Sequence, residues 1–425
     1  MSDTKKRILL IAYNYPPLIS PQSLRWFYLS RELAEDGYDI DVLTIRLPAA
    51  FSELSDRVPA VIRVHRVFPG PFHYLTYRFS REASRKEKRD KAAPDRRSIT
   101  AGFLSALYFG VHKALSSVAV PDVYAEWVPF AVTKGRRLMG ENAYDVIISS
   151  SEPRACHVVG FRLKGTTSVP WIADYGDPWL FPPGRKTGEK LERKLLPRMD
   201  AITFAAEGTR RLYLGRYPLL TDKDVRVVTQ GFDPGMNTGA EGCRPPVGTF
   251  RIVYCGSLYK GLRDPMNFFD AVREIGSNDI EVLVAGRINE FADILRSPDF
   301  AQKITFLGFL PHLETLALQK GATVLLHIGN STDIQVPGKV YEYFGAGRPV
   351  LCIRGSDADT SADLIIRYNR GTVTPNRKAD IKEAILHMHD LWQQGKLDRS
   401  FSLGIEEEFT WKRQANVMKN VIEGL

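Results

Sequence analysis

The 425-residue chain is too long for one compact core and implies two domains of ordinary size. With 44% hydrophobic and 25% charged residues it is globular rather than disordered, and no run of about 18 uncharged apolar residues marks a bilayer-spanning helix. The net charge of +9 favours an anionic partner: a nucleotide diphosphate, an anionic lipid or a nucleic acid.

The N-terminus is polar and basic up to Arg7, and the apolar run after it is too short for a secretory signal, which implies a cytoplasmic protein. Ile8 to Tyr15 reads as a strand, and Ser23 to Glu35 as a helix with Trp26, Leu29 and Leu33 on one side. Further strands follow at 38–45, 62–68, 144–149, 169–174, 201–205 and 225–229, with a helix over 155–163. Short apolar strands alternating with helices predict a parallel sheet covered on both faces.

Residues 231–248 carry Asp-Pro-Gly, Asn-Thr-Gly and Pro245-Pro246, which is linker chemistry. The alternation then restarts, with strands at 250–255, 281–285, 304–307, 323–328 and 349–353. Helices are expected near 265–274, 313–320, 338–345 and 380–393. The expected architecture is α/β, with two Rossmann-like doubly wound parallel-sheet domains facing a central cleft. The expected bounds are 1–235 for the first domain, 236–248 for the linker and 249–407 for the second. A C-terminal helix, 408–425, would pack back on the first domain.

Positive charge is concentrated between Arg78 and Arg97, where nine basic residues face four acidic ones. Residues 99–120 follow, with apolar positions 103, 107, 111, 115 and 118 on one helical stripe. A basic segment beside an apolar helix suits a peripheral inner-membrane surface, and equally a core helix after a solvated loop. Arg81 to Arg97 contains no aromatic residue, which argues against nucleic acid. Cys156, Cys243, Cys255 and Cys352 fit neither a zinc site nor a disulfide framework. No metal and no cofactor are expected.

Two stretches carry the chemistry. In Pro337-Gly338-Lys339-Val340-Tyr341-Glu342 a helix begins, and its first amide groups and dipole suit a phosphate. Lys339 adds a charge there, and Glu342, one turn on, can accept from ribose hydroxyls. In Tyr254-Cys255-Gly256-Ser257-Leu258-Tyr259-Lys260-Gly261-Leu262-Arg263 a strand runs into a loop whose Lys260 and Arg263 could clamp a diphosphate. Each stretch alone also fits an ordinary capped helix or loop with exposed charges.

Together they resemble the donor-binding half of retaining family-4-type glycosyltransferases with the GT-B fold. The resemblance covers nearly the whole chain. Tyr15-Pro16-Pro17 with Arg25 is similar to that family's first loop and helix, and Phe306-Leu307-Gly308-Phe309-Leu310-Pro311 to the loop holding the nucleotide base. Thr229 to Asp233 resembles the strand end before its linker, and Trp411 onward its C-terminal helix. Asp174-Tyr175-Gly176-Asp177-Pro178-Trp179 resembles Asp-x-Arg-Asp-Pro-Trp with Gly176 in place of arginine. The family often has Glu-x7-Glu, but its first position here falls on Ile334, beside Asp333. That brings the chain nearer the Pro-Ser-Lys-x-x-Glu-Tyr branch of polysaccharide and lipid-linked glycan assembly.

The resemblance implies sugar transfer from a UDP- or GDP-linked donor, with retention and without metal. Donor contacts would come from Gly256, Ser257, Lys260, Arg263, Phe309, Pro337, Gly338, Lys339 and Glu342. On the acceptor side Asp177 is the catalytic candidate, with Ser20, Arg25 and His157 near the acceptor. For Asp177 a helix-capping role, for His157 a structural role and for Arg25 a surface ion pair are the alternatives. Two other readings stay open: a nucleotide-sugar epimerase of the same fold, and a non-catalytic basic membrane-binding protein.

Overall fold

The computed structural model describes residues 6–47, 58–77, 121–179, 186–221, 223–236, 239, 243–261, 263–288, 291, 303–330, 332 and 334–425. The basic run and apolar stripe of 78–120, with the membrane contact expected there, lie outside the described residues, as do Leu262 and Asp333.

The chain divides into two compact units. The first comprises residues 1–205, 209–228 and 415–425, and the second residues 206–208 and 229–414. The division falls after Val228 rather than at 235, so the breaker-rich stretch belongs to the second unit.

In the first unit, seven parallel strands run in the order β3-β2-β1-β4-β5-β6-β7. They are β1 (Arg7–Ile11), β2 (Asp39–Ile45), β3 (Ile62–Val67), β4 (Val146–Ser151), β5 (Trp171–Tyr175), β6 (Ala201–Phe204) and β7 (Asp224–Val227). The central strands are buried along their whole length, which explains their near-continuous Ile, Leu and Val runs. β1 ends at Ile11, four residues short of the expected strand, ahead of Pro16-Pro17.

Helix α1 (Pro21–Glu35) starts where Ser20 accepts from the Ser23 amide at 3.1 Å, with Pro21 preset for the first turn. Helices α2 (Val128–Glu141), α3 (Ala155–Lys164), α4 (Lys186–Leu195) and α5 (Glu207–Arg216) follow. Gly160 of α3 sits against Trp171, where an added Cβ would lie 2.6 Å from the indole nitrogen. Only glycine lets α3 approach β5 that closely.

In the second unit, six parallel strands run in the order β10-β9-β8-β11-β12-β13. They are β8 (Phe250–Cys255), β9 (Ile280–Ala285), β10 (Ile304–Gly308), β11 (Val324–Ile328), β12 (Val350–Ile353) and β13 (Gly371–Thr374). Helices α6 (Met266–Glu274), α7 (His312–Lys320), α8 (Gly338–Ala346), α9 (Thr360–Arg367) and α10 (Lys378–Gln393) complete it. Helix α11 (Trp411–Glu423) begins here, and its residues from Ala415 belong to the first unit. There Lys6 donates to the Ile422 carbonyl at 3.2 Å and Tyr38 to Glu423 at 3.0 Å.

Both sheets reverse their strand order once, at β1/β4 and at β8/β11. In open α/β sheets ligands bind beyond the strand carboxyl ends at such a reversal.

Candidate functional site

In the second unit the reversal joins the two stretches singled out in the sequence. Tyr343 of α8 accepts from the Cys255 amide at 3.2 Å and donates to the Leu326 carbonyl at 3.1 Å. These two bonds pin α8 across β8 and β11. The α8 carboxyl end is closed, because buried Arg370 donates to the Phe344 carbonyl at 2.7 Å and Gly347 takes the left-handed conformation, φ 63°. The amino end is open. Pro337 is the cap residue, and no side chain caps the first turn. The amides of the first turn and the positive dipole end are therefore available to an anion.

Lys339 stands in that first turn. Its Nζ lies 4.0 Å from the centre of the Tyr254 ring. Gly256 is as near, since a Cβ added there would sit 3.6 Å from Nζ. Gly256 has φ +137°, which glycine tolerates and other residues rarely adopt. The residue as a whole is only partly buried, but Nζ is shielded from solvent and has no hydrogen-bond partner. Burial, reinforced by the Arg263 charge, pushes the amine well below the ordinary lysine range.

The loop after β8 supplies the rest. Arg263 donates through Nε to Oδ1 of Asn330, at the end of β11, at 2.7 Å. Ser257 is partly buried, and Lys260 stands exposed at the loop's tip. Hydrogen bonds from Gly256 to the Ala285 carbonyl, 2.8 Å, and from Gly286 to the Gly308 carbonyl, 2.7 Å, knit the loops after β8, β9 and β10 together. Phe309, in the last of these, is 69% exposed. Glu342 accepts from Nε2 of buried Gln319 at 3.0 Å, which orients its carboxylate.

Sequence reasoning missed His327, Asn330 and Gln319 as members of this neighbourhood, and gave Tyr254 only a place in the strand before the loop. His327 is fully buried on β11, and neither ring nitrogen has a hydrogen-bond partner. Inside an apolar strand, nothing in the residue order sets it apart.

In the first unit Arg25 is wholly buried. It donates to Asp174 through Nε at 3.0 Å and Nη2 at 2.8 Å, and to the Val228 carbonyl at 2.7 Å. Trp26 and Thr203 also donate to Asp174, at 2.9 and 2.7 Å. Arg25 thus ties α1 to β5. The structure corrects the surface ion-pair reading of Arg25, whose ion pair with Asp174 is buried. Ser20 caps α1.

His157 is likewise buried, with Nδ1 2.7 Å from Ser149 Oγ and its ring stacked on Trp179. Burial drives its pKa down to about 3, so it is neutral at ordinary pH. Asp177 is partly buried beyond the carboxyl end of β5. Where the resemblance would have arginine, Gly176 leaves room for Gln22, whose Nε2 lies 1.3 Å from an added Cβ. At the end of β4, Glu152 was also missed. Burial lifts its carboxyl to about 7; Arg154, with Nε 3.3 Å away, opposes this, while Asp122 and Asp177 add to it. A third of its side chain stays open to water, which tempers the rise. Among the described residues no cluster of three or more His, Cys, Asp or Glu could hold a metal ion.

No protein-family model matches the chain, and no curated protein matches it. Solved structures do. Sucrose-phosphate synthase from Thermosynechococcus elongatus is similar over 99% of both chains, at 15% identity and a TM-score of 0.69. Anabaena HepE in complex with UDP-glucose matches over 99% of this chain and 100% of its own, at 14% identity and a TM-score of 0.65. A putative UDP-N-acetylglucosamine 2-epimerase from Listeria monocytogenes matches over 99% and 96%, at 14% identity and a TM-score of 0.53. The fold is GT-B. Glycosyltransferases with it place their strands and helices as this chain does, and at these identities the likeness is one of fold. No helix among the described residues is long and apolar enough to cross a membrane.

Proposed function

We propose that the chain is a glycosyltransferase that binds a nucleoside-diphosphate sugar, UDP- or GDP-linked, in its second unit and transfers the sugar to a glycan or lipid-linked acceptor. One observation carries the reading. A lysine nitrogen, buried without an acceptor, stands at an uncapped helix start against a glycine whose backbone a ligand can approach. A diphosphate supplies the missing acceptor oxygens. As the bond to the sugar breaks, charge grows on that diphosphate, and Lys339, Arg263 and the α8 dipole stabilise it in place. They do so without a metal, in keeping with transfer that retains anomeric configuration. Glu342, held by Gln319, takes the ribose hydroxyls, and the loop at Phe309 takes the base.

The acceptor is assigned to the first unit, where Asp177 would accept a hydrogen bond from the incoming hydroxyl. The function fits cell-surface polysaccharide assembly at the cytoplasmic face of a membrane. HepE in complex with UDP-glucose supports a uridine donor. The epimerase of the same fold is the competing reading, and it would interconvert a UDP-sugar with no acceptor present.

The test is thermal unfolding with and without UDP. Donor binding raises the melting temperature by mass action, and Glu342→Ala removes most of that rise. No shift with UDP or GDP contradicts the reading, and a full shift in Glu342→Ala removes Glu342 from the site.

A further inference from the structure

The charge balance around Lys339 is unusual. Facing it are Tyr254 and Cys255 from β8, Arg263 from the following loop, His327 from β11, Cys352 from β12 and Glu342 from α8 itself. Arg263 bears on Lys339 as a like charge, both bear on His327, and Glu342 is the one carboxylate among them, already bonded to Gln319. Lys339 Nζ and both nitrogens of His327 are buried and unpartnered. The Tyr254 ring face offsets only part of what burying an ion costs. An empty site therefore favours shedding a proton over holding an unbalanced charge.

We propose that the diphosphate site is proton-linked: a nucleoside diphosphate enters together with one proton, which converts Lys339 from amine to ammonium. The inference rests on the donor reading above and adds the protonation state of the empty site. The balance is simple. Free protein with neutral Lys339, plus nucleoside diphosphate, plus a solvent proton, gives the complex with ammonium against phosphate oxygen. Burial first, then Arg263, pull the free amine down, and the negative charge of the diphosphate pulls it back up. Between the free and bound values affinity falls as pH rises, by up to about tenfold per pH unit.

His327 belongs to the same buried cluster. Its own ring is driven well below the usual histidine range by burial, then by Lys339 and Arg263. It is therefore neutral, and any proton it took up would compete with that of Lys339.

The experiment is titration calorimetry of the full chain with UDP at about pH 7.5 and 8.5, where the terminal phosphate of UDP is already ionised. Each titration is run in Tris and in HEPES, which differ in ionisation enthalpy. The expected result is a buffer-dependent enthalpy corresponding to about one proton taken up, with Kd rising several-fold over that pH step. Lys339→Arg keeps a permanent charge, so it binds UDP with no proton uptake and a flat pH profile. Should that variant fold poorly, Lys339→Gln serves: it removes the titrating amine, so the UDP binding that remains shows neither proton uptake nor a pH-dependent Kd. Tight UDP binding with equal enthalpy in both buffers and constant Kd overturns the inference and leaves the donor reading standing. Uptake undiminished in Lys339→Arg also overturns it. Absence of UDP binding at either pH overturns both.

Discussion

Two buried arginine and lysine sites divide the labour of this molecule. In the first unit Arg25 meets Asp174 in two hydrogen bonds, and Trp26 and Thr203 fill the remaining positions on that carboxylate. In the second unit the Nζ of Lys339 is also shielded from solvent, and it meets an aromatic ring, a glycine and no acceptor. A charge whose partners all come from the chain is part of the framework. A titratable nitrogen buried without one is an unmet demand, and an outside anion can meet it.

The sharpest way to break this comparison is to delete each cation and read opposite signs. Arg25→Ala leaves Asp174 buried and charged, so it should cost about 3–5 kcal/mol of stability, read as a fall in the urea midpoint. Lys339→Met removes an unsatisfied buried polar group, so it should raise stability by about 1–3 kcal/mol and abolish UDP binding. A Lys339→Met chain that is destabilised and still binds UDP would place both residues in the framework.

A smaller effect sharpens the first unit. His157 is held neutral to about pH 3 against 6.5 for an ordinary histidine, so the unfolded chain takes up its proton first as pH falls. Its contribution is complete above pH 6.5 and is lost between there and about 3, by up to about tenfold in the unfolding constant per pH unit. His157→Asn should flatten that part of the acid-unfolding curve measured by circular dichroism. An unchanged curve would mean that the ring titrates freely.

Much of the second unit was legible. Strand β8 begins and ends where its apolar run does, and Pro337-Gly338 with Gly347 bracket α8. That is why the two candidate diphosphate stretches stand out from local signals. What stayed hidden depends on partners far along the chain. Arg25 is 149 residues from Asp174, and an arginine on an amphipathic helix gives no sign of which side it will face. His327 lies within the run Val-Leu-Leu-His-Ile, where buried strand positions on both faces erase the alternation that would mark it. Glu152 follows three serines and looks like a turn residue, and only the fold brings Asp122 and Asp177 toward it. Helix α2 follows directly on a 3-10 turn, Val123–Trp127, and the sequence reading passed over it.

The most direct test of the central claim is a crystal structure of the chain grown with UDP. The account predicts diphosphate oxygens within hydrogen-bond distance of Lys339 Nζ and of the first-turn amides of α8, beside Gly256. A diphosphate bound elsewhere, with Lys339 still facing only Tyr254, would contradict it.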